Sequence, residues 1–125
     1  MAHHPSRGFS LLELMITCAV IAILASIALP SYRRHIIKTH RMRAEVCMTD
    51  QANVLERHYT RALSYLAAPA AACASELDSY RLQVQATPGD YTVIAEPISS
   101  QADEACGRLT LDQAGRTTPA RRECW

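Results

Sequence analysis

No C-x-x-C pair occurs in the chain, and no Cys/His grouping has metal-ligand spacing, so the sequence offers no zinc site. Internal repeats and low-complexity linkers are also missing. So is an excess of one charge: Lys+Arg 13 against Asp+Glu 12 gives a formal net charge of +1, too little for whole-molecule attraction to a polyanion. His35, His40 and His58 have no Ser or Cys companion at a catalytic spacing, which leaves an enzymatic reading without residues to carry it. Thr87-Pro88-Gly89-Asp90 is a turn and not a phosphate loop, because no helix-opening run follows it. An ordinary secretory signal is a poor match as well. The small residue of the basic leader, Gly8, precedes the apolar run, whereas a signal peptide places its cleavage site afterwards, where Ala25-Ser26-Ile27-Ala28 fits weakly.

What is present begins with that run. Residues 9–29 read FSLLELMITCAVIAILASIAL, with Glu13 the only charge. As a helix rising 1.5 Å per residue, this is long enough to cross a hydrocarbon core of ~30 Å. A carboxylate inside such a segment costs a few kcal/mol, so Glu13 is expected to have a function there. A plain N-terminal anchor would explain the apolar residues but not Glu13.

Of the five cysteines, Cys18 lies in the apolar run, and Cys47, Cys73, Cys106 and Cys124 lie outside it. Four cysteines allow three pairings, which the sequence leaves open. Disulfides imply an oxidising compartment, here the periplasm or the cell surface. Against this stands a basic cluster just after the apolar run: Arg33, Arg34, Lys38, Arg41 and Arg43. The positive-inside rule taken alone would put that cluster in the cytoplasm. Its residues are expected to face other subunits or anionic headgroups.

The periodicity predicts one long helix over roughly 10–66. Beyond Pro30 an apolar stripe recurs at three- and four-residue steps through Ile37, Ala44, Met48, Gln51, Leu55, Tyr59, Ala62 and Leu66. Gln51 weakens that stripe without breaking it. Pro30 lacks an N–H and should kink or loosen the helix, with the Ser26 and Ser31 hydroxyls placed to satisfy freed carbonyls. Residues 67–79 form a connecting loop. From Tyr80 the period becomes two: Tyr80, Leu82, Val84 and Ala86 on one strand, Tyr91, Val93 and Ala95 on its return. A third strand is expected over Gly107–Asp112 and a short fourth near Arg116–Thr118, after a turn at Gln113-Ala114-Gly115. A long helix covering one face of a small antiparallel sheet of about four strands is an α+β layout. Its core is modest, and disulfides contribute most to such a core.

With these residues in view, the chain resembles the type IV pilins. Gly8-Phe9 is similar to the family's prepilin peptidase site, Glu13 to its glutamate and Pro30 to its helix-loosening proline. The resemblance implies that leader 1–8 is removed and the Phe9 amine methylated. It implies that 9–30 forms the membrane and assembly half of the helix, and that 31–125 is a periplasmic globular domain, later part of an extracellular pilus. This resolves the conflict over topology in favour of the cysteines. The implied partners are other pilin subunits through the N-terminal helix, the prepilin peptidase, the pilus assembly machinery and the inner membrane before assembly; no cofactor or metal is implied. Glu13 is expected to pair with the Phe9 amine of a neighbouring subunit, a buried pair acting as a register device.

The stretch Asp103-Glu104-Ala105-Cys106-Gly107-Arg108-Leu109-Thr110-Leu111-Asp112, with Gly115-Arg116 and Cys124-Trp125, resembles the end of certain minor pilins. That resemblance implies a Cys106–Cys124 disulfide and leaves Cys47–Cys73 as the second. The function it implies is a structural, minor subunit serving adhesion, twitching motility or DNA uptake. Two alternatives share the N-terminal motif: a type II secretion pseudopilin, and a DNA-binding minor pilin acting as a competence receptor. For the last, Arg116, Arg121 and Arg122 are the candidate DNA contacts, a basic tail with only Asp112 and Glu123 beside it.

Overall fold

Ser10 opens the helix. Its Oγ accepts the Glu13 N–H at 3.2 Å and its carbonyl accepts the Leu14 N–H at 3.2 Å, so Ser10 is the cap and Glu13 the third helical residue. In the computed structural model, which describes residues 8–102 and 105–125, helix α1 then spans Leu11–Ala62, passing through Pro30. The chain divides into two compact units, the first ending at His35 and the second comprising Ile36–Trp125.

In the first unit the apolar side chains of α1 face outward; Leu11 is 77% and Ile27 69% exposed. The helix is long and apolar enough here to cross a membrane. The Thr17 and Ser26 hydroxyls bond back to helix carbonyls, which suits a segment in an apolar medium. Thr17 Oγ1 donates to the Glu13 and Leu14 carbonyls at 3.0 and 2.8 Å, and Ser26 Oγ donates to the Ile23 carbonyl at 2.7 Å. The carbonyl that Pro30 leaves without its i+4 donor is that of Ser26 itself, so this hydroxyl serves a different group.

In the second unit the predicted stripe is the buried face of α1: Ala44, Met48, Gln51 and Leu55 are all at or below 1% exposure. The helix ends at Ala62, four residues earlier than the periodicity suggests. Leu63 adopts φ 53° and donates its N–H to the Tyr59 carbonyl at 2.8 Å, a left-handed stop that usually falls to glycine. Leu66 therefore drops out of the stripe and is exposed, and Tyr65 packs into the core instead. Tyr65 stacks on Tyr59 with ring centroids 4.6 Å apart and meets Tyr91 edge-on at 4.8 Å. Burial, followed by its bond to Glu56, holds the Tyr91 phenol well above its ordinary pKa.

The sheet is an antiparallel meander in the order β1-β2-β3-β4, with β1 at Tyr80–Ala86, β2 at Tyr91–Pro97, β3 at Leu109–Asp112 and β4 at Thr117–Thr118. Register runs from Tyr80 opposite Pro97 to Ala86 opposite Tyr91. The predicted turn closes this hairpin: Thr87 Oγ1 accepts the Asp90 N–H at 3.0 Å and the Gly89 N–H at 3.3 Å. Strand β2 is central and carries most of the sheet's share of the core, through Tyr91, Val93 and Ala95. Strand β3 starts two residues later than expected because Gly107, at φ 57°, still turns the chain.

Candidate functional site

At the N-terminal end, Gly8 has open space around it, and Phe9 is 79% exposed. Residues 1–7 of the expected leader lie outside the described residues. Glu13 is exposed, one turn from the start of α1, where a carboxylate suits the positive end of the helix. Ser10-Leu11-Leu12-Glu13 is thus also a capping-box pattern, a local role that the sequence signals by its spacing. Cys18 is a free, exposed thiol.

Both implied disulfides are present. Cys47–Cys73 joins α1 to the connecting loop with Cα atoms 5.8 Å apart, and Cys106–Cys124 brackets the last two strands at 5.7 Å. Buried Gln51 reinforces the first tie from the same helix face. Its Oε1 accepts the Ala71 N–H at 2.7 Å and its Nε2 donates to the Pro69 carbonyl at 3.1 Å. Gln51, the polar member of the apolar stripe, is an anchor for the loop. Gln101 does the same for the segment after β2, donating to the Ile37 carbonyl at 2.8 Å and to Tyr80 Oη at 3.3 Å.

The basic cluster is not uniform. Arg33, Arg34 and Arg43 are exposed, and Arg34 Nε reaches the Pro30 carbonyl at 3.4 Å. Arg41 departs from the expectation of an outward-facing charge, because its side chain is only 12% exposed. It turns onto the C-terminal disulfide loop, donating from Nη1 to Cys106 Sγ at 3.0 Å and from Nη2 to the Glu123 carbonyl at 2.8 Å. Glu45 Oε1 lies 3.7 Å from its Nε. Burial raises the Glu45 carboxyl above its usual pKa, and Arg41 and then Lys38 oppose that rise.

The three tail arginines have unlike surroundings. Arg116 is exposed but tied to the β3–β4 turn: its Nε donates to Asp112 Oδ2 at 2.8 Å and its N–H to Asp112 Oδ1 at 2.9 Å. Those bonds, the backbone one first, lower the Asp112 carboxyl below its ordinary pKa. Arg108 is likewise paired with Glu96 across the sheet. Arg121 and Arg122 are exposed and enter no ion pair among the described residues. They sit on a single turn of 3-10 helix, Arg122–Cys124, closed by the Cys124 N–H donating to the Arg121 carbonyl at 3.0 Å. Buried Cys124 and the half-buried Trp125 seat this turn against the core. No grouping of His, Cys, Asp and Glu suited to a metal ion occurs among the described residues.

The comparisons with known proteins agree with this architecture. The family model described as "Type IV minor pilin ComP, DNA uptake sequence receptor" matches residues 30–110, and the prokaryotic N-terminal methylation motif matches residues 4–29. Fimbrial protein EcpC of Eikenella corrodens is 35% identical over 60 residues, covering 48% of this chain and 39% of that protein. Fimbrial protein Q of Moraxella bovis is 54% identical over 37 residues, covering 30% of this chain and 24% of that one. The chain thus spans well under half the length of the curated relatives it matches. A solved type IV pilin from Shewanella oneidensis superposes with a TM-score of 0.61 at 31% identity, covering 71% of this chain and 97% of that one.

Proposed function

The chain belongs to the type IV minor pilin family whose model is described as the DNA uptake sequence receptor, and on that premise we propose that it is a pilus subunit that meets DNA through Arg121 and Arg122. The family and fold are those of structural subunits. The observation that carries the DNA reading is the match over residues 30–110; the tail lies beyond it, and charge geometry supports the tail's part. Two adjacent exposed guanidiniums on a turn seated by a disulfide form a compact phosphate contact, whereas Arg116 and Arg108 already have carboxylate partners. DNA contact of this kind does not need a basic molecule overall, only a local excess of positive charge, here two arginines beside the single carboxylate of Glu123.

In this reading leader 1–8 is cleaved after Gly8, the Phe9 amine is methylated, and residues 9–30 hold the precursor in the inner membrane with the globular unit on the periplasmic side. Glu13 then pairs with the Phe9 amine of a neighbouring subunit, and Pro30 loosens the helix for packing in the filament. The experiment for the DNA reading is binding of a short labelled duplex to the full chain in detergent micelles at low and moderate salt. R121A/R122A is expected to lose most of the salt-sensitive affinity and R116A to keep most of it. A double variant that binds like the wild type overturns the assignment.

A further inference from the structure

Arg41 is the one member of the basic cluster whose guanidinium is spent inside the fold. From α1 it reaches across 65 residues of sequence to Cys106 Sγ and across 82 to the Glu123 carbonyl. The Cys106–Cys124 bond ties the 3-10 turn to the segment before β3 and not to the helix. To the apolar packing of Cys124 and Trp125 on the core, Arg41 adds a polar tie from α1 itself. The Glu123 carbonyl belongs to the peptide between the arginine-bearing part of the turn and buried Cys124, so fixing it fixes the direction in which Arg121 and Arg122 leave the surface.

We propose that Arg41 is a positioning residue for DNA binding: it touches no DNA, and through the Glu123 carbonyl and Cys106 Sγ it holds Arg121 and Arg122 pre-oriented toward a duplex backbone. This rests on the DNA reading above. A planar fork with several donors can meet a sulfur and a carbonyl at once, whereas a lysine ammonium in the same place is a point charge on a flexible stem. Losing the fork leaves both tail arginines available, but each must be ordered at the moment of binding. The ordering cost of two long side chains and a turn corresponds to about a tenfold loss of affinity.

The phosphate contacts in the bound state stay the same in number, which separates this role from a direct one. Log affinity against log salt should keep its wild-type slope in R41K and R41Q, shifted down about tenfold, because a lost phosphate contact would instead flatten the slope by about 0.9. The test titrates a short mixed-sequence DNA duplex into the full chain in detergent micelles over a salt series, at a temperature where circular dichroism shows each variant folded. In parallel, trypsin cleavage after Arg121 and Arg122 reports the order of the turn and should be faster in both variants. Wild-type affinity in the folded R41K and R41Q chains overturns the proposal, as does a flattened slope, which would make Arg41 a contact. Unchanged trypsin resistance overturns the tie while leaving the DNA reading standing. Salt-insensitive binding by the wild type overturns the DNA reading and this role with it.

Discussion

Gln51→Leu isolates the contribution of one buried amide. Gln51 is 1% exposed, and its two hydrogen bonds hold the connecting loop at Pro69 and Ala71. Leucine fills nearly the same volume, so the cavity term is small and polar satisfaction dominates. The Ala71 N–H, in a residue 7% exposed, loses its acceptor, and stranding a buried donor costs ~1–3 kcal/mol. Pro69 is exposed, so water can serve its carbonyl. The gain from burying an apolar chain offsets part of the loss. The net expectation is about 2 kcal/mol, a fall of roughly 10 °C in Tm for a unit of this size. The Cys47–Cys73 bond limits the damage, since it keeps the loop beside the helix after Gln51 is gone. Urea unfolding of the full chain in detergent micelles with disulfides intact measures the difference. An unchanged m-value with a midpoint shift of that size supports the reasoning; Q51L within ~0.5 kcal/mol of wild type, or above it, refutes the anchoring role.

Glu13 stands at the third helical position of a capping-box pattern, and two variants separate that position's local contribution from the proposed charge pairing. E13Q keeps the capping-box chemistry, yet both E13Q and E13A should fail to enter sheared filaments while leader cleavage still proceeds; filaments containing E13Q at wild-type levels would sink the charge pairing. Glu45 titrates above its unfolded value in the fold, so the native state holds that proton more tightly. Stability should therefore fall as pH rises from about 4.5 through the raised folded pKa, and E45Q should remove that fall; an identical pH profile in E45Q contradicts it. Leu63 holds a left-handed φ of 53° at the end of α1, so L63G should raise stability by about 1 kcal/mol in thermal unfolding, and a loss of stability would show that the exposed leucine packs on something.

Much of this was legible in the sequence because it rests on local patterns. The three-and-four spacing from Ala44 to Leu55 and the alternation in Tyr91–Val93–Ala95 each mark a core-facing set that is buried as expected, although Ile94 on the other face of β2 is buried too and Val84 of β1 is exposed. What escaped depends on groups distant in the chain. Arg41 reads in the sequence as one more cation facing other subunits or headgroups, since nothing near it in sequence shows a sulfur and a carbonyl 65 and 82 residues away. Gln51 and Gln101 serve backbone groups of loops whose paths no periodicity encodes. The early stop at Ala62 turns on Leu63 taking a conformation that side-chain sterics disfavour, so propensity pointed the other way. The Ser10 cap is a local feature, its Oγ taking the Glu13 N–H, and the Ser-x-x-Glu spacing carries its signal.

Arg121 and Arg122 are proposed to carry the phosphate contacts. The most direct test is the slope of log affinity against log salt for duplex DNA, measured on the full chain and on R121A/R122A in detergent micelles. Two lost contacts should flatten the slope by about 1.8. Parallel lines for the two proteins would contradict the account and move any DNA contact elsewhere on the pilin.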